Sequence, residues 1–254
     1  MQKSLRLLCL CTLLVLATFT FPTLSIRTIQ AGSPLPATRQ NPFEHEFSFD
    51  FSDGRQGWTA GFADSTTDVI NREKVVFKLK KLPKNLGERR KVLFIGGTNQ
   101  TDDLFMFIKR QLTGLRPDTI YSLQFDVQIA SNAPTGCVGA GGAPGDGVYF
   151  KVGASPIEPV ADPQTTLLNI DKGNQSQGGK DVITIGTIAT TGPNCDLSTY
   201  EFKTLGTDGA KFQAKTDASG NIWVLLGTDS AFESRTELFY SKIKILLNEA
   251  TDGQ

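Results

Sequence analysis

The groups in this 254-residue chain that could do chemistry are mostly carboxylates. There is a single histidine, His45, at the edge of the first patterned segment. A metal site built on several imidazoles is therefore excluded, and any Ser-His-Asp or Cys-His arrangement would have to recruit that one residue. Asp64, Asp68, Asp102, Asp103, Asp146, Asp171, Asp181, Asp229 and Glu233 fall near the ends of predicted strands. Two acids about 5–10 Å apart, one with a raised pKa, are what glycoside hydrolysis requires. Asp also favours turns, because its side chain bonds the backbone two residues on, so most of these acids have a structural reason to be where they are.

Two stretches concentrate polar or aromatic groups suited to holding a ligand. The segment NIDKGNQSQGGKD (169–181) offers Asp171, Asn174, Ser176 and Asp181, hard oxygen donors suited to calcium or to sugar hydroxyls. Its acids lack the alternate-position spacing of an EF-hand. In GRQGWTAGFAD, Trp58 lies in a Gly-rich turn beside Asp64, where an exposed indole could stack on a sugar ring. Trp223, in the continuous apolar run IWVLLG, is expected in the core. GAGGAPGDG (139–147) has no G-K-[ST] and leads into a strand, not a helix, so it is no phosphate loop. The candidate ligand-binding set is Trp58, Asp64, Asp102, Asp103, Asp171, Asn174, Asp181 and Asp229, with no catalytic residue assigned.

The elements that must position these residues are strands. EFSFDFS puts Phe47, Phe49 and Phe51 on one face at period 2. KVVFKLK, VLFIGG, DLFMFIKR, GVYFKVG, VITIGTIA, TYEFKTL, KFQAKT, NIWVLLG and TELFYSKIKILL follow, the last placing Phe239, Ser241, Ile243, Ile245 and Leu247 together. Turn formers separate the runs: Asp53-Gly54, Gly96-Gly97 and Ser219-Gly220-Asn221. No window carries a helical stripe. About ten strands and 25 glycines predict one all-β domain, a sandwich or barrel, over residues 44–248.

The clearest strand, in LTGLRPDTIYSLQFDVQIA, is preceded by L-x-G-L-x-P-x-x-x-Y at Leu112, Gly114, Leu115, Pro117 and Tyr121. This turn resembles the corner of fibronectin type III domains and equally a turn in bacterial galactose-binding-like jelly rolls, the fold of many carbohydrate-binding modules. The single mid-chain occurrence, with strands far outside a 100-residue window, favours the larger fold. FDFSDGRQGW resembles the start of such jelly rolls. The resemblance implies a single antiparallel β-sandwich of the galactose-binding-like type. It also implies a structural calcium held partly by an Asp on the last strand, where this chain has Ser241 and Lys242.

The chain's start reads as an export signal. Lys3 and Arg6 precede the apolar stretch Leu7–Phe21, and Pro22 and small residues follow. The stretch is shorter than the roughly 20 apolar residues that span a bilayer. The expected division is a signal peptide over 1–25 (cleavage as late as 31), a flexible leader over 26–43, the sandwich, and a disordered tail over 249–254. Cys137 and Cys195 then remain as a pair in an oxidising compartment, and a disulfide is expected, closing a loop worth about 4 kcal/mol. Equal numbers of basic and acidic residues, 26 each, leave no basic stripe for nucleic acid. The chain is thus expected to be an exported, non-enzymatic binding module for carbohydrate or a cell-envelope or matrix surface. It would be secreted or held in the periplasm or envelope, with no cofactor beyond that calcium and no membrane insertion after cleavage. A carboxylate-dependent glycoside hydrolase and a structural or adhesive envelope protein are the alternatives.

Overall fold

The computed structural model describes residues 45–65, 75–100, 102–207, 209 and 212–250. The expected signal peptide, leader and final residues 251–254, together with Asp68, lie outside the described residues. Twelve strands run in chain order: β1 His45–Phe49, β2 Thr59–Ala63, β3 Val76–Lys81, β4 Lys91–Thr98, β5 Phe105–Leu112, β6 Ile120–Ser131, β7 Val148–Ser155, β8 Val182–Thr187, β9 Glu201–Gly206, β10 Phe212–Lys215, β11 Ile222–Ser230 and β12 Arg235–Glu249. Among the described residues the one helical element is a single 3-10 turn, Lys84–Leu86.

The strands form two antiparallel sheets packed as a sandwich. The seven-stranded sheet has the order β10-β6-β12-β4-β3, with β1 also paired to β12 and β9 to β6. The five-stranded sheet has the order β2-β5-β11-β7-β8. This is the β-sandwich expected from the alternating sequence pattern. Its core lies between the sheets. Tyr121, Leu123, Phe125, Val127 and Ile129 of β6 face Met106 and Ile108 of β5, Phe150 and Val152 of β7, and Val224 and Leu226 of β11, all buried. Each such side chain contributes about 1.5–3 kcal/mol by leaving water. Tyr121 also does what its place after Pro117 predicts: its ring is buried and its hydroxyl accepts the Arg116 backbone N–H at 3.1 Å.

Two local expectations change. Gly96-Gly97 is not a turn but lies inside β4, paired with Glu237 and Thr236. A Cβ on Gly97 would stand 2.9 Å from the Met106 sulfur and 3.2 Å from Leu104, so the glycine is there for the close approach of the second sheet. In β12 a bulge between Tyr240 and Lys242 breaks the period. Phe239 therefore turns outward onto Phe94 and Tyr200 (ring centroids 4.9 and 5.2 Å), while Tyr240 faces inward to Phe150.

Part of the outer face of the five-stranded sheet is covered. The connection 156–181 between β7 and β8 folds across it as a flap. Ile170 and Leu168 of the flap, with Val182, close over Phe105, Phe107 and Leu225 in a second small core. Cys137 and Cys195 form a disulfide that ties the 132–147 connection to the loop before β9.

Candidate functional site

Alternation dictates which side chains meet beneath the flap. On β11 the inward residues are Val224, Leu226 and Thr228, so Leu225, Gly227 and Asp229 point outward. On β7 the same parity sends Tyr149, Lys151 and Gly153 outward. The register pairs Gly227 with Lys151 and Asp229 with Tyr149, which makes Lys151 and Asp229 diagonal neighbours. The flap seals both: their side chains have no exposed area, and Lys151 Nζ lies 3.0 Å from Asp229 Oδ2. The flap adds Lys172, whose Nζ is 2.8 Å from Asp229 Oδ2 and 2.8 Å from Asp64 Oδ2 at the end of β2.

The cluster is neutral in sum and hydrogen-bonded at most of its polar atoms. Lys151 donates to the carbonyls of Lys172 (2.9 Å) and Gln177 (3.0 Å), which fixes the flap to the sheet. Asp229 Oδ2 also accepts the Gln175 backbone N–H at 3.0 Å. Asp229 Oδ1 is buried without a hydrogen-bond partner among the described residues. Burial pushes the Asp64 carboxyl above the usual range even though Lys172 stands beside it. It pulls Lys151 below the usual ammonium range, against the attraction of Asp229. Burial opposes the charge on Lys172 too, but Asp229 and Asp64 together hold its pKa above normal.

Above this cluster the flap and the ends of β2 and β5 leave a shallow cup of about 330 Å³. Asp64, Asp103, Asp171, Lys172 and Asn174 line it together with Leu167 and Leu168. Segments around 64, 103 and 167–174 thus meet in space. Asp103 is exposed at the rim, and burial with the nearby Asp64 charge pushes its carboxyl up. Asn174 is exposed and its amide is free of the cluster's bonding. Asp171 instead clamps the flap's own turn: its carboxylate accepts the N–H groups of Gly173 (3.0 Å) and Lys180 (2.9 Å), which holds its pKa low. Asp181 serves the same turn by accepting the Asp171 N–H at 2.9 Å.

Two members of the candidate set, Trp58 and Asp229, are not available to a ligand. Trp58 is 1% exposed, its ring edge-on to Phe49 at 5.4 Å, so it closes the sandwich interior and offers no stacking platform. It is also remote from the cup. It directly precedes the Thr59–Lys109 pair, whereas Asp229 lies across from Phe105 at the other end of β5. Asp229 has no exposed surface, because the flap and Lys151 cover it. Asp102 turns its Oδ1 inward, and its carbonyl takes a long 3.5 Å contact from the Gln175 side chain. Trp223, expected in the core, is only partly buried on the outer face, 5.8 Å from the Lys109 ammonium.

Sequence reasoning missed Lys151, Lys172 and Leu167. A signal existed for the first: Lys151 sits in a strand beside Gly153, and an outward glycine marks something lying close on that face. A Cβ there would meet Val182 Cα at 2.9 Å.

The residues present do not fit the calcium site that the fold resemblance implies. On the last strand Ser241 is buried, accepts from the Arg90 guanidinium and donates to Gln128 Oε1 at 2.8 Å, so a fixed cation already occupies that neighbourhood. Among the described residues no group of three or more His, Cys, Asp or Glu side chains is arranged to hold a metal ion.

No family model matches the chain, and no curated protein matches it. Solved structures do resemble it. The family 11 carbohydrate-binding module of a cellulosomal cellulase from Clostridium thermocellum is 15% identical, with a TM-score of 0.37 over 82% of this chain and 98% of that one. The module TmCBM61, solved with β-1,4-galactotriose, is 10% identical, with a TM-score of 0.36 over 79% of this chain and 94% of that one. The enzymatically active domain of bacteriophage CBA120 tailspike protein 4 is 12% identical, with a TM-score of 0.35 over 78% of this chain. The match spans only 20% of the tailspike chain. Likeness at this level is one of β-sandwich architecture and does not extend to a ligand.

Proposed function

We propose that the chain is an exported carbohydrate-binding domain whose ligand sits in the cup over the flap. The observation that carries this reading is the composition of the cup. Two carboxylates with raised pKa values (Asp64 and Asp103), an amide (Asn174) and the edge of an ammonium (Lys172) surround an apolar wall at Leu167, which is 59% exposed. Hydroxyl groups that donate and accept, on a ring with one apolar face, match such a surface. The export assignment rests on the apolar stretch after Arg6 and on the disulfide. Binding without hydrolysis is favoured because Asp64 is committed to Lys172 at 2.8 Å and the cup is shallow, whereas hydrolysis needs two free acids across a cleft.

A second location for the same function is the groove of about 570 Å³ on the outer face of the seven-stranded sheet, lined by Ser48, Asp50, Asp126, Gln128, Thr204 and Lys244. It is larger and also polar. The test is a glycan array followed by titration calorimetry on any hit. Asp103→Ala with Asn174→Ala should weaken binding at least tenfold, and Asp126→Ala with Gln128→Ala should leave it unchanged. The reverse pattern moves the site to the groove. An array with no hit removes the carbohydrate reading.

A further inference from the structure

We propose that Lys151 and Asp229 become joined by an amide bond between Lys151 Nζ and Asp229 Cγ, a self-formed cross-link between β7 and β11. The inference is independent of any sugar ligand and concerns the buried cluster alone.

The geometry supplies each part such a reaction needs. The two side chains lie on adjacent strands, have no exposed area and are already 3.0 Å apart at Nζ and Oδ2. This ion-pair contact holds Nζ beside the carboxyl group whose carbon it would attack, so fixed proximity replaces a bimolecular encounter. Lys151 has three N–H bonds to donate. Two are taken by the Lys172 and Gln177 carbonyls, at 2.9 and 3.0 Å. The third points to Asp229, so removing that proton leaves the lone pair aimed at the Asp229 carboxyl group. Burial pulls the Lys151 pKa down, which favours the neutral amine.

The carboxyl group is equally prepared. Oδ2 is held by the Lys172 ammonium (2.8 Å) and the Gln175 N–H (3.0 Å), two donors in the place where negative charge develops during attack. Lys172, kept charged by Asp64 and Asp229, holds its proton and serves as a donor; it is not the nucleophile. Oδ1 has no hydrogen-bond partner among the described residues, so it is the oxygen open to receive the two protons with which it departs as water. The Asp64 carboxylate stands on the other side of Lys172, 2.8 Å from its Nζ, and is placed to hold that donor charged.

The step balances without any co-reactant. The ammonium and the carboxylate together become an amide and one water. The N–C bond forms, the Cγ–Oδ1 bond breaks, and two of the three ammonium protons leave with Oδ1. The product removes two opposite charges from a site where their desolvation is costly. The new carbonyl oxygen keeps the Lys172 and Gln175 donors, and the remaining amide N–H keeps a backbone carbonyl acceptor.

Intact and peptide mass spectrometry of the purified full chain, denatured and reduced, tests this. The expected result is a branched tryptic product in which Lys151 is uncleaved and its peptide is joined to the Asp229 peptide, lighter than their sum by one water. Lys151→Met and Asp229→Ala should each give separate peptides at full mass. Asp64→Asn should slow the appearance of the branched product after refolding at least tenfold. A wild-type chain that is folded, as shown by its intact Cys137–Cys195 disulfide and near-UV circular dichroism, yet gives both peptides at full mass overturns the proposal. So does a branch on Lys172 in place of Lys151. Equal rates in the wild type and Asp64→Asn overturn the role of Asp64 in holding Lys172 charged.

Discussion

Replacing Lys172 by methionine isolates what its ammonium does beneath the flap, because methionine keeps a flexible apolar stem of similar reach. The substitution leaves Asp229 with Lys151 at 3.0 Å and the Gln175 N–H, but strips Asp64 of the cation at 2.8 Å. The Asp64 side chain is only 7% exposed, so water replaces that partner poorly. The carboxylate must then stay charged and buried or take up a proton. With an unfolded-state pKa near 3.9, protonation at pH 7 costs about 4 kcal/mol, and at pH 5 about 1.5 kcal/mol. The first figure agrees with the roughly 3–5 kcal/mol lost when one partner of a buried pair is removed. At about 2–4 °C per kcal/mol for a domain of this size, the midpoint of thermal unfolding should fall by about 8–16 °C at pH 7 but only by about 3–6 °C at pH 5. The sign follows from linkage. Asp64 in the variant has a folded pKa raised further above its unfolded value, so its contribution is most favourable below the unfolded pKa and is lost as pH rises through the folded one. Differential scanning calorimetry at the two pH values reads this directly, and a second change, Asp64→Leu, should restore most of the loss. A deficit that is the same at both pH values, or one that Asp64→Leu does not relieve, would refute the assignment of the cost to an orphaned Asp64.

Other consequences are open to simpler assays. Cys137→Ser with Cys195→Ser releases a cross-link between positions separated by 58 residues and should cost about 4 kcal/mol in chemical denaturation; a loss below about 1 kcal/mol would mean the two loops are held by other contacts. Gly97→Ala drives a methyl to 2.9 Å from the Met106 sulfur and should destabilise by about 1–3 kcal/mol, while Gly54→Ala, with open space around its Cβ but a φ of 90°, should cost about 1 kcal/mol through backbone strain alone. Asp171 has a pKa below the ordinary value of 3.8 because it accepts the Lys180 and Gly173 N–H groups. Its contribution is therefore present above the unfolded pKa and lost as pH falls through the lower, folded one. Amide exchange at Gly173 and Lys180, corrected for its intrinsic pH dependence, should show protection that disappears below pH 3.8 and is absent at all pH values in Asp171→Ala.

The two layers of this fold were legible because the code for an antiparallel strand is local. Tyr121, Leu123, Phe125, Val127 and Ile129 alternate with polar residues, and their burial follows from parity alone. Where parity fails, a long-range cause is responsible. Phe239 and Ser241 were expected on the inner face with Ile243, but a bulge at Tyr240/Lys242 sends Phe239 to the outer face, and nothing in LFYSKI announces the extra residue. Gly96-Gly97 reads as a turn because its reason for being glycine, the Met106 and Leu104 side chains of another segment, is more distant in sequence than any turn rule sees.

The site was less legible for a physical reason that also explains its chemistry. A lysine facing outward from a strand ordinarily reads as solvated, and so does an aspartate near a strand end; Lys151 and Asp229 fit both descriptions by parity. Their burial is decided by the connection 156–181, which has no strand or helix pattern of its own to declare where it lies. That connection exposes Ile157, Val160 and Leu167 and buries few large apolar groups, chiefly Ile170 and Leu168, against Phe105, Phe107 and Leu225. So small an apolar contact offers limited hydrophobic stabilisation for closing the flap. The bonds that Lys151 donates to the Lys172 and Gln177 carbonyls, those that Asp229 accepts from the Gln175 N–H and the Lys172 ammonium, and those of buried Lys109 to the Pro159 carbonyl and Glu158 add polar attachment. A flap held by charge must bury that charge, and burying it is what moves the pKa values of Asp64, Lys151 and Lys172 away from their ordinary positions. The exposed cup and the proposed reactive geometry beneath it therefore have one origin: a polar connection folded over a sheet face on which Lys151 and Asp229 stand on neighbouring strands.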